Sequence, residues 1–147
     1  MANLVPTTYD FKKVIVTFGG VPIDGYAEGS VVKIEASDPE GFKKKTGADG
    51  EVSWSKSNNN THKVTLVLKQ SSTGNAYLSS VRNTDKITGK AILPLSITDL
   101  NGTSKHFWQH ARVLGDIPWE YGADETDRQW VIDTAQIAKD ERAGVLP

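Results

Sequence analysis

The sequence predicts a mainly β protein: an antiparallel β-sandwich or small barrel with one flanking α-helix and a long hairpin arm. Three observations lead there. Residues 31–36 and 61–69 alternate apolar and polar side chains, the period-two signature of half-buried strands. Asn101-Gly102 stands between two further strand patterns, a strong short-range hairpin signal. Only residues 72–85 switch to a helical period. A single domain spanning all 147 residues is expected, long enough to bury roughly 70% of the surface its unfolded chain exposes.

Taken in order, residues 1–8 read as an extended arm. Residues 9–18 read as a strand, with Val14, Val16 and Phe18 on one face and Ile15 and Thr17 on the other. Gly19-Gly20 ends it, and residues 21–26, with Pro22 and Gly25, suit an edge strand or a turn. In residues 31–36, Val32, Ile34 and Ala36 share one side; Val31, Lys33 and Glu35 share the other. A strand resumes over residues 51–55 around Val52 and Trp54, which makes residues 37–57 an extended hairpin. Residues 57–60, Ser-Asn-Asn-Asn, form a turn because Asn tolerates left-handed backbone. Residues 61–69 then direct Val64, Leu66 and Leu68 inward.

The helix is expected over residues 73–83, capped by Ser72 or Thr73, patterned by Ala76, Tyr77, Ser80 and Val81, and stopped by Asn83-Thr84-Asp85. Residues 91–98 form a strand that Pro94 marks as edge or bulged. Its hairpin partner, residues 105–113, sets Phe107, Ala111 and Val113 against His106, Trp108, His110 and Arg112 on the opposite face. Residues 115–127 are acidic and irregular, residues 130–138 a final strand, and residues 139–147 a polar tail.

Composition narrows the function. Seventeen Lys and Arg against 18 Asp and Glu leave no broad basic face, so a dedicated nucleic-acid binder is not indicated. The absence of cysteine removes disulfides, thiolate catalysis and Cys-based zinc sites. No apolar run of signal-peptide length opens the chain and none reaches about 18 residues. A soluble protein made in a cytoplasm is the expectation, with no membrane insertion.

The chemistry-bearing residues point the same way. His106 and His110 share a strand face but lie about 13 Å apart along it, too far to ligate one ion without a bulge. His62 stands beside a turn without a companion. The acids Asp116, Glu120, Asp124, Glu125 and Asp127 do not follow a calcium-loop pattern and read as a solvated acidic loop. No nucleophile elbow, zinc-protease helix or phosphate-binding glycine loop occurs. Neither catalytic activity, cofactor nor metal is expected. Asn59-Asn60-Thr61 and Asn101-Gly102-Thr103 match a glycosylation acceptor but are better read as turn chemistry. Trp54, Trp108 and Trp130 fall on strands as core or interface anchors, and Trp119, after Pro118, suits an intersubunit contact.

The hairpin at residues 37–57 is the stretch that most needs a partner. It carries Lys43, Lys44 and Lys45 and a Gly47-Ala48-Asp49-Gly50 turn, and offers little apolar surface to its own domain. Either it is a mobile surface loop of no particular consequence, or it is an arm whose order comes from a neighbouring molecule.

The opening YDFKKV at residues 9–14, the GYAEGSVVKIE run at 25–35 and the TGADGEVSWS hairpin at 46–55, with their order along the chain, resemble the tail tube proteins of contractile-tailed bacteriophages. The resemblance implies a two-sheet sandwich with a flanking helix, and hexameric rings of this chain stacked into a hollow tube within the virion tail, assembled in the host cytoplasm. It implies tail sheath and baseplate proteins as further partners and only transient, non-specific DNA passage. It implies an arm carrying Phe42, Lys43, Lys44, Lys45, Asp49 and Glu51 that reaches a neighbouring ring. Lys33 and Glu35 become candidates for the channel lining, where an excess of Lys or Arg would bind passing phosphates. Trp119, Asp124, Glu125 and Asp127 become candidate interface residues, the acids facing Lys43 to Lys45 of a neighbour. Alternatives are the tube of a phage-derived bacteriocin or secretion system, a carbohydrate-recognising sandwich using Trp119 and Tyr121, and, last, a small hydrolase using His110 and an acid.

Overall fold

Residues 8–29, 31–102, 104–114, 118 and 120–141 are described by the computed structural model. Among them lie ten strands and one α-helix: β1 Val14–Phe18, β2 Val21–Ile23, β3 Val32–Ala36, β4 Phe42–Thr46, β5 Val52–Lys56, β6 His62–Lys69, α1 Thr73–Thr88, β7 Leu93–Asp99, β8 Lys105–Val113, β9 Asp127–Thr134 and β10 Ile137–Glu141. Strands pair antiparallel in the order β2-β1-β7-β8-β9-β6-β3, with β10 also on β8, while β4 and β5 form a separate two-stranded sheet. Val16 and Phe18 of β1 share one core with Val64, Leu66 and Leu68 of β6. Strands so far apart in the order meet only because the sheet bends into two facing layers. The result is the expected mainly β sandwich with one helix, without a closed barrel.

The strand alternation holds along β6, where Val64, Leu66 and Leu68 are fully buried. It fails along β8. Trp108 is buried beside Ala111 and Val113, not opposite them. The register explains the change: Leu95 faces Trp108 and Leu93 faces Ala111, so β8 holds one more residue than β7 across that interval. Pro94 donates no hydrogen bond at this point, and the extra residue at Gln109–His110 forms a bulge that reverses the parity of β8. Pro94 thus marks a bulge, not an edge, since β7 lies between β1 and β8.

Other boundaries differ for local reasons. Asp10 caps a 3-10 turn at Phe11–Lys13, its carboxylate accepting Lys12 N at 3.0 Å, so β1 starts at Val14. The helix continues past Asn83-Thr84-Asp85 to Thr88. Thr84 and Thr88 turn their hydroxyls onto the carbonyls of Ser80 and Thr84 (3.0 and 2.8 Å), which keeps both residues compatible with the helix. Its inner stripe is Gly74 and Leu78, with Tyr77 and Val81 half-buried, whereas Ala76 and Ser80 face outward. The expected strand over residues 130–138 is interrupted at Ala135-Gln136. Up to Thr134 it pairs with both β6 and β8; beyond the break, β10 pairs with β8, and residues 139–141 belong to that strand instead of a tail.

Neither Asn-rich turn uses left-handed Asn, because every described residue with positive φ is glycine. Asn101 is buried and its side chain holds the entry to β1, accepting Asp10 N at 3.0 Å and donating to Asp10 O at 2.8 Å. Asn59 accepts both the backbone N and the hydroxyl of Thr61, at 3.1 and 2.6 Å.

Candidate functional site

The β4–β5 hairpin grows out of the end of the sandwich where β3 stops and β6 begins. Its strands pair Phe42 with Lys56, Lys44 with Trp54 and Thr46 with Val52, while Lys43 and Lys45 pair with Ser55 and Ser53. Directly opposed residues share a face of a two-stranded sheet. One face therefore carries Phe42, Lys44, Thr46, Val52, Trp54 and Lys56, and the other Lys43, Lys45, Ser53 and Ser55. Phe42 is 59% exposed and Trp54 66% exposed, so the apolar face has no cover from its own chain. The hairpin is more amphipathic than its lysine run suggests. The period-two spacing of Val52, Trp54 and Lys56 is the signal that could have revealed this face, and the alternation separates Lys44 from Lys43 and Lys45.

The tip and the root of the hairpin are both built by side-chain bonds. At the tip, Asp49 Oδ1 accepts Glu51 N at 3.1 Å, while Gly47 N donates to Glu51 O at 2.7 Å. Asp49 and Glu51 thus shape the turn. At the root, Gln136 accepts Asn60 N at 2.8 Å and donates to Asn58 O at 3.0 Å from the break between β9 and β10. Ser37 N donates to Thr61 O at 3.0 Å, and Ser57 N to Gly41 O at 2.7 Å. Sequence reading missed Gln136, because its partners lie 76 and 78 residues away.

Lys33 and Glu35 share the outward face of β3 and form an exposed ion pair at 2.6 Å. The bond from Lys33, and then its charge, hold the Glu35 carboxyl below its ordinary range. The pairing register extends this into a row across four strands: Glu35 opposite Lys63, Lys63 opposite Asp133, Asp133 opposite Arg112. Signs alternate along the row, so the sheet face carries charges that offset one another.

The acidic segment is tied to the helix entry. Glu125 Oε1 accepts Ser71 N at 2.7 Å, and the Ser71 bonds hold its carboxyl low. Asp127 opens β9 opposite Lys69. Asp124 and Glu125 border a hollow of about 410 Å³ with Gln70 and Ser71. Asp116 and Trp119 lie outside the described residues. Tyr121 is 79% exposed and its ring is faced by the Arg128 guanidinium at 5.5 Å.

His106 Nδ1 is 2.8 Å from Asp140 Oδ1, and its ring stacks on Trp108. His62 is buried and meets Trp108 Nε1 at 3.4 Å. His110, Arg112 and Asp133 line a hollow of about 200 Å³, whose Thr134 hydroxyl is already bonded on both sides to the His62 backbone. Among the described residues no three His, Asp or Glu side chains gather as a metal site, and no helix is long and apolar enough to cross a membrane.

No family model matches the chain, and no curated protein matches it significantly in sequence. Solved structures do match in fold. The tube-terminating cap of an anti-feeding prophage superposes with a TM-score of 0.63 at 13% identity, covering 96% of this chain and 95% of the cap. The PVC sheath/tube terminator of an extracellular contractile injection system, in its extended state, gives 0.64 at 14% identity over 90% of this chain and 96% of the terminator. The likeness runs nearly the full length of both partners. It is a likeness of fold, shared with components of contractile particles.

Proposed function

We propose that this chain is a non-catalytic structural subunit of a contractile-tail-type particle, closing into hexameric rings around a channel and contacting the next layer through the hairpin at residues 37–57. The observation that carries the reading is the hairpin itself: an ordered two-stranded sheet with Phe42, Val52 and Trp54 on one uncovered face. A face of that kind, projecting from the body, is suited to ordering against another molecule. The fold of the two terminator proteins supports the same class of particle.

The offset charges of Lys33, Glu35, Lys63 and Asp133 on the sheet face suit a channel wall over which a polyanion must slide without adhering, while Arg112 at the end of the row is held by Asp85 of α1 at 3.8 Å. The outer edge of β3 is at the end of the strand order, and pairing with a neighbour's edge would cover its free backbone groups. Phage tail, bacteriocin and secretion tube remain one class under this reading, with sheath and baseplate proteins as its partners.

A second reading is favoured by the fold neighbours, a tube-terminating cap and a sheath/tube terminator: this chain then makes one ring at the end of a tube built by another protein. Electron microscopy of the purified protein separates the two. Stacks of sixfold rings support the tube subunit, single sixfold rings that do not lengthen with concentration support the terminator, and a persistent monomer overturns both.

A further inference from the structure

We infer that the aromatic face of the β4–β5 hairpin docks into an apolar cleft at the opposite end of a second copy of this chain, making a head-to-tail contact; this names the surface that receives the arm and rests on the assembly reading above. The cleft, of about 460 Å³, is lined by Tyr9, Phe11, Ala27, Gly29, Val31 and Val32. Ala27 also borders an adjoining hollow of about 360 Å³ with Glu28, Lys69, Glu125 and Asp127. Three carboxylates against one ammonium leave that rim acidic.

The hairpin face is the counterpart. Phe42, Val52 and Trp54 match the apolar floor, and Lys44 and Lys56 stand on the same face with no acid among the residues paired there. Apolar surface with cations on one side, and apolar surface with carboxylates on the other, favour a single docked register. Phe11, on the cleft wall, meets Tyr26 edge-on at 5.3 Å, and among the described residues the buried Tyr26 hydroxyl has no hydrogen-bond partner.

A chain cannot fill its own cleft. The hairpin leaves from Ala36 and returns at His62, whereas the cleft and its rim lie at Val32, Lys69 and Asp127, the other ends of β3, β6 and β9. At strand rise the four steps from Ala36 to Val32 set the cleft about 13 Å from the hairpin root, and the seven steps of β6 set its acidic rim about 23 Å away; every residue of β4 and β5 is exposed, so the hairpin packs on no part of its own body. Two different surfaces at opposite ends make the contact heterologous, which repeats from copy to copy.

The chain has no cysteine, so cross-linking gives a direct test. Thr46→Cys protein, which keeps Phe42, Val52 and Trp54 on the same hairpin face, is mixed with Ala27→Cys protein under mild oxidation, with Ile87→Cys, on an exposed helix position, as the control partner. The expected result is a disulfide-linked pair formed by Thr46→Cys with Ala27→Cys at least about tenfold faster than with Ile87→Cys. Equal rates overturn the proposal. A second arm uses Lys44→Glu/Lys56→Glu protein and Glu28→Lys/Asp127→Lys protein. Each alone should fail to stack, while mixing the charge-reversed pair restores one junction by sedimentation; stacking of the rim variant at wild-type concentration overturns the proposal. Rings that form while the cross-link is not selective remove the docking contact and leave the ring reading. A selective cross-link without rings does the reverse.

Discussion

The β4–β5 hairpin and the β6–β9 pair are both antiparallel, both contain a strand that alternates apolar and polar residues, and both centre on a tryptophan. In the β6–β9 pair Trp130 is 1% exposed, closed in by the sandwich core and bonded through its Nε1 to Asn75 at 2.9 Å. In the hairpin Trp54 is 66% exposed. The local pattern is the same and the opposing layer is not. Alternation specifies that one face of a strand pair is to be covered, and leaves open whether the cover comes from the same chain or from another.

The largest contrast should come from the two tryptophans. Trp130→Ala should lower unfolding stability by about 3–5 kcal/mol in denaturant titration, through lost burial and the cavity left behind. Trp54→Ala should stay within about 0.5 kcal/mol of wild type while abolishing stacking in electron micrographs. Equal stability losses would erase the distinction between core and arm.

A glycine in the sandwich body, between β1 and β2, and one in the hairpin give a finer test. A Cβ on Gly19, at φ +63°, would meet Tyr77 Oη at 2.7 Å and Leu93 Cδ1 at 2.8 Å; one on Gly50, at φ +88°, would meet nothing within 4 Å. Gly19→Ala should therefore cost about 2–3 kcal/mol of global stability. Gly50→Ala should cost about 1 kcal/mol, confined to the hairpin and read as faster amide exchange at its tip.

Gln136→Ala removes two exposed bonds at the root and should cost at most about 1 kcal/mol globally. Its sharper effect is faster exchange of the Asn60 amide, with β6 protected as before. Exchange at both places would mean that the root is part of the core.

The smallest effect concerns Glu125. Its folded pKa is depressed by the bonds from Ser71, so the contribution is present above the ordinary carboxylate range. It is lost as pH falls from there through the folded value. Glu125→Gln should flatten that acid limb of the stability curve by slightly lowering stability near pH 7 and leaving the acid end unchanged, a small loss since the group is solvated.

Much of the body was legible because its determinants are local. Residues 31–36 and 61–69 alternate, and β3 and β6 follow. The faces of β8 were not legible, since their parity turns on a bulge set where Pro94 meets the strand from another segment. The helix end was misplaced because the threonine back-bonds that sustain it resemble a stop when read as composition. In the hairpin, Phe42 and Lys44 were visible as candidates. Their separation from Lys43 and Lys45 required the strand register. The cleft draws on residues 9, 11, 27 and 31 and its rim on residues 125 and 127, which no spacing along the chain brings together.

The grip of Gln136 on Asn58 and Asn60 has a mechanical consequence. From Gly41 to the turn at Ala48 the arm reaches about 23 Å at strand rise. It behaves as a lever pivoting at its root, where a tilt of about 5° displaces the tip by about 2 Å, enough to break any hydrogen bond made there. Two bonds from one amide, with the Ser37–Thr61 and Ser57–Gly41 backbone bonds beside them, thus set the angular tolerance of the arm and the accuracy with which its tip can find a partner.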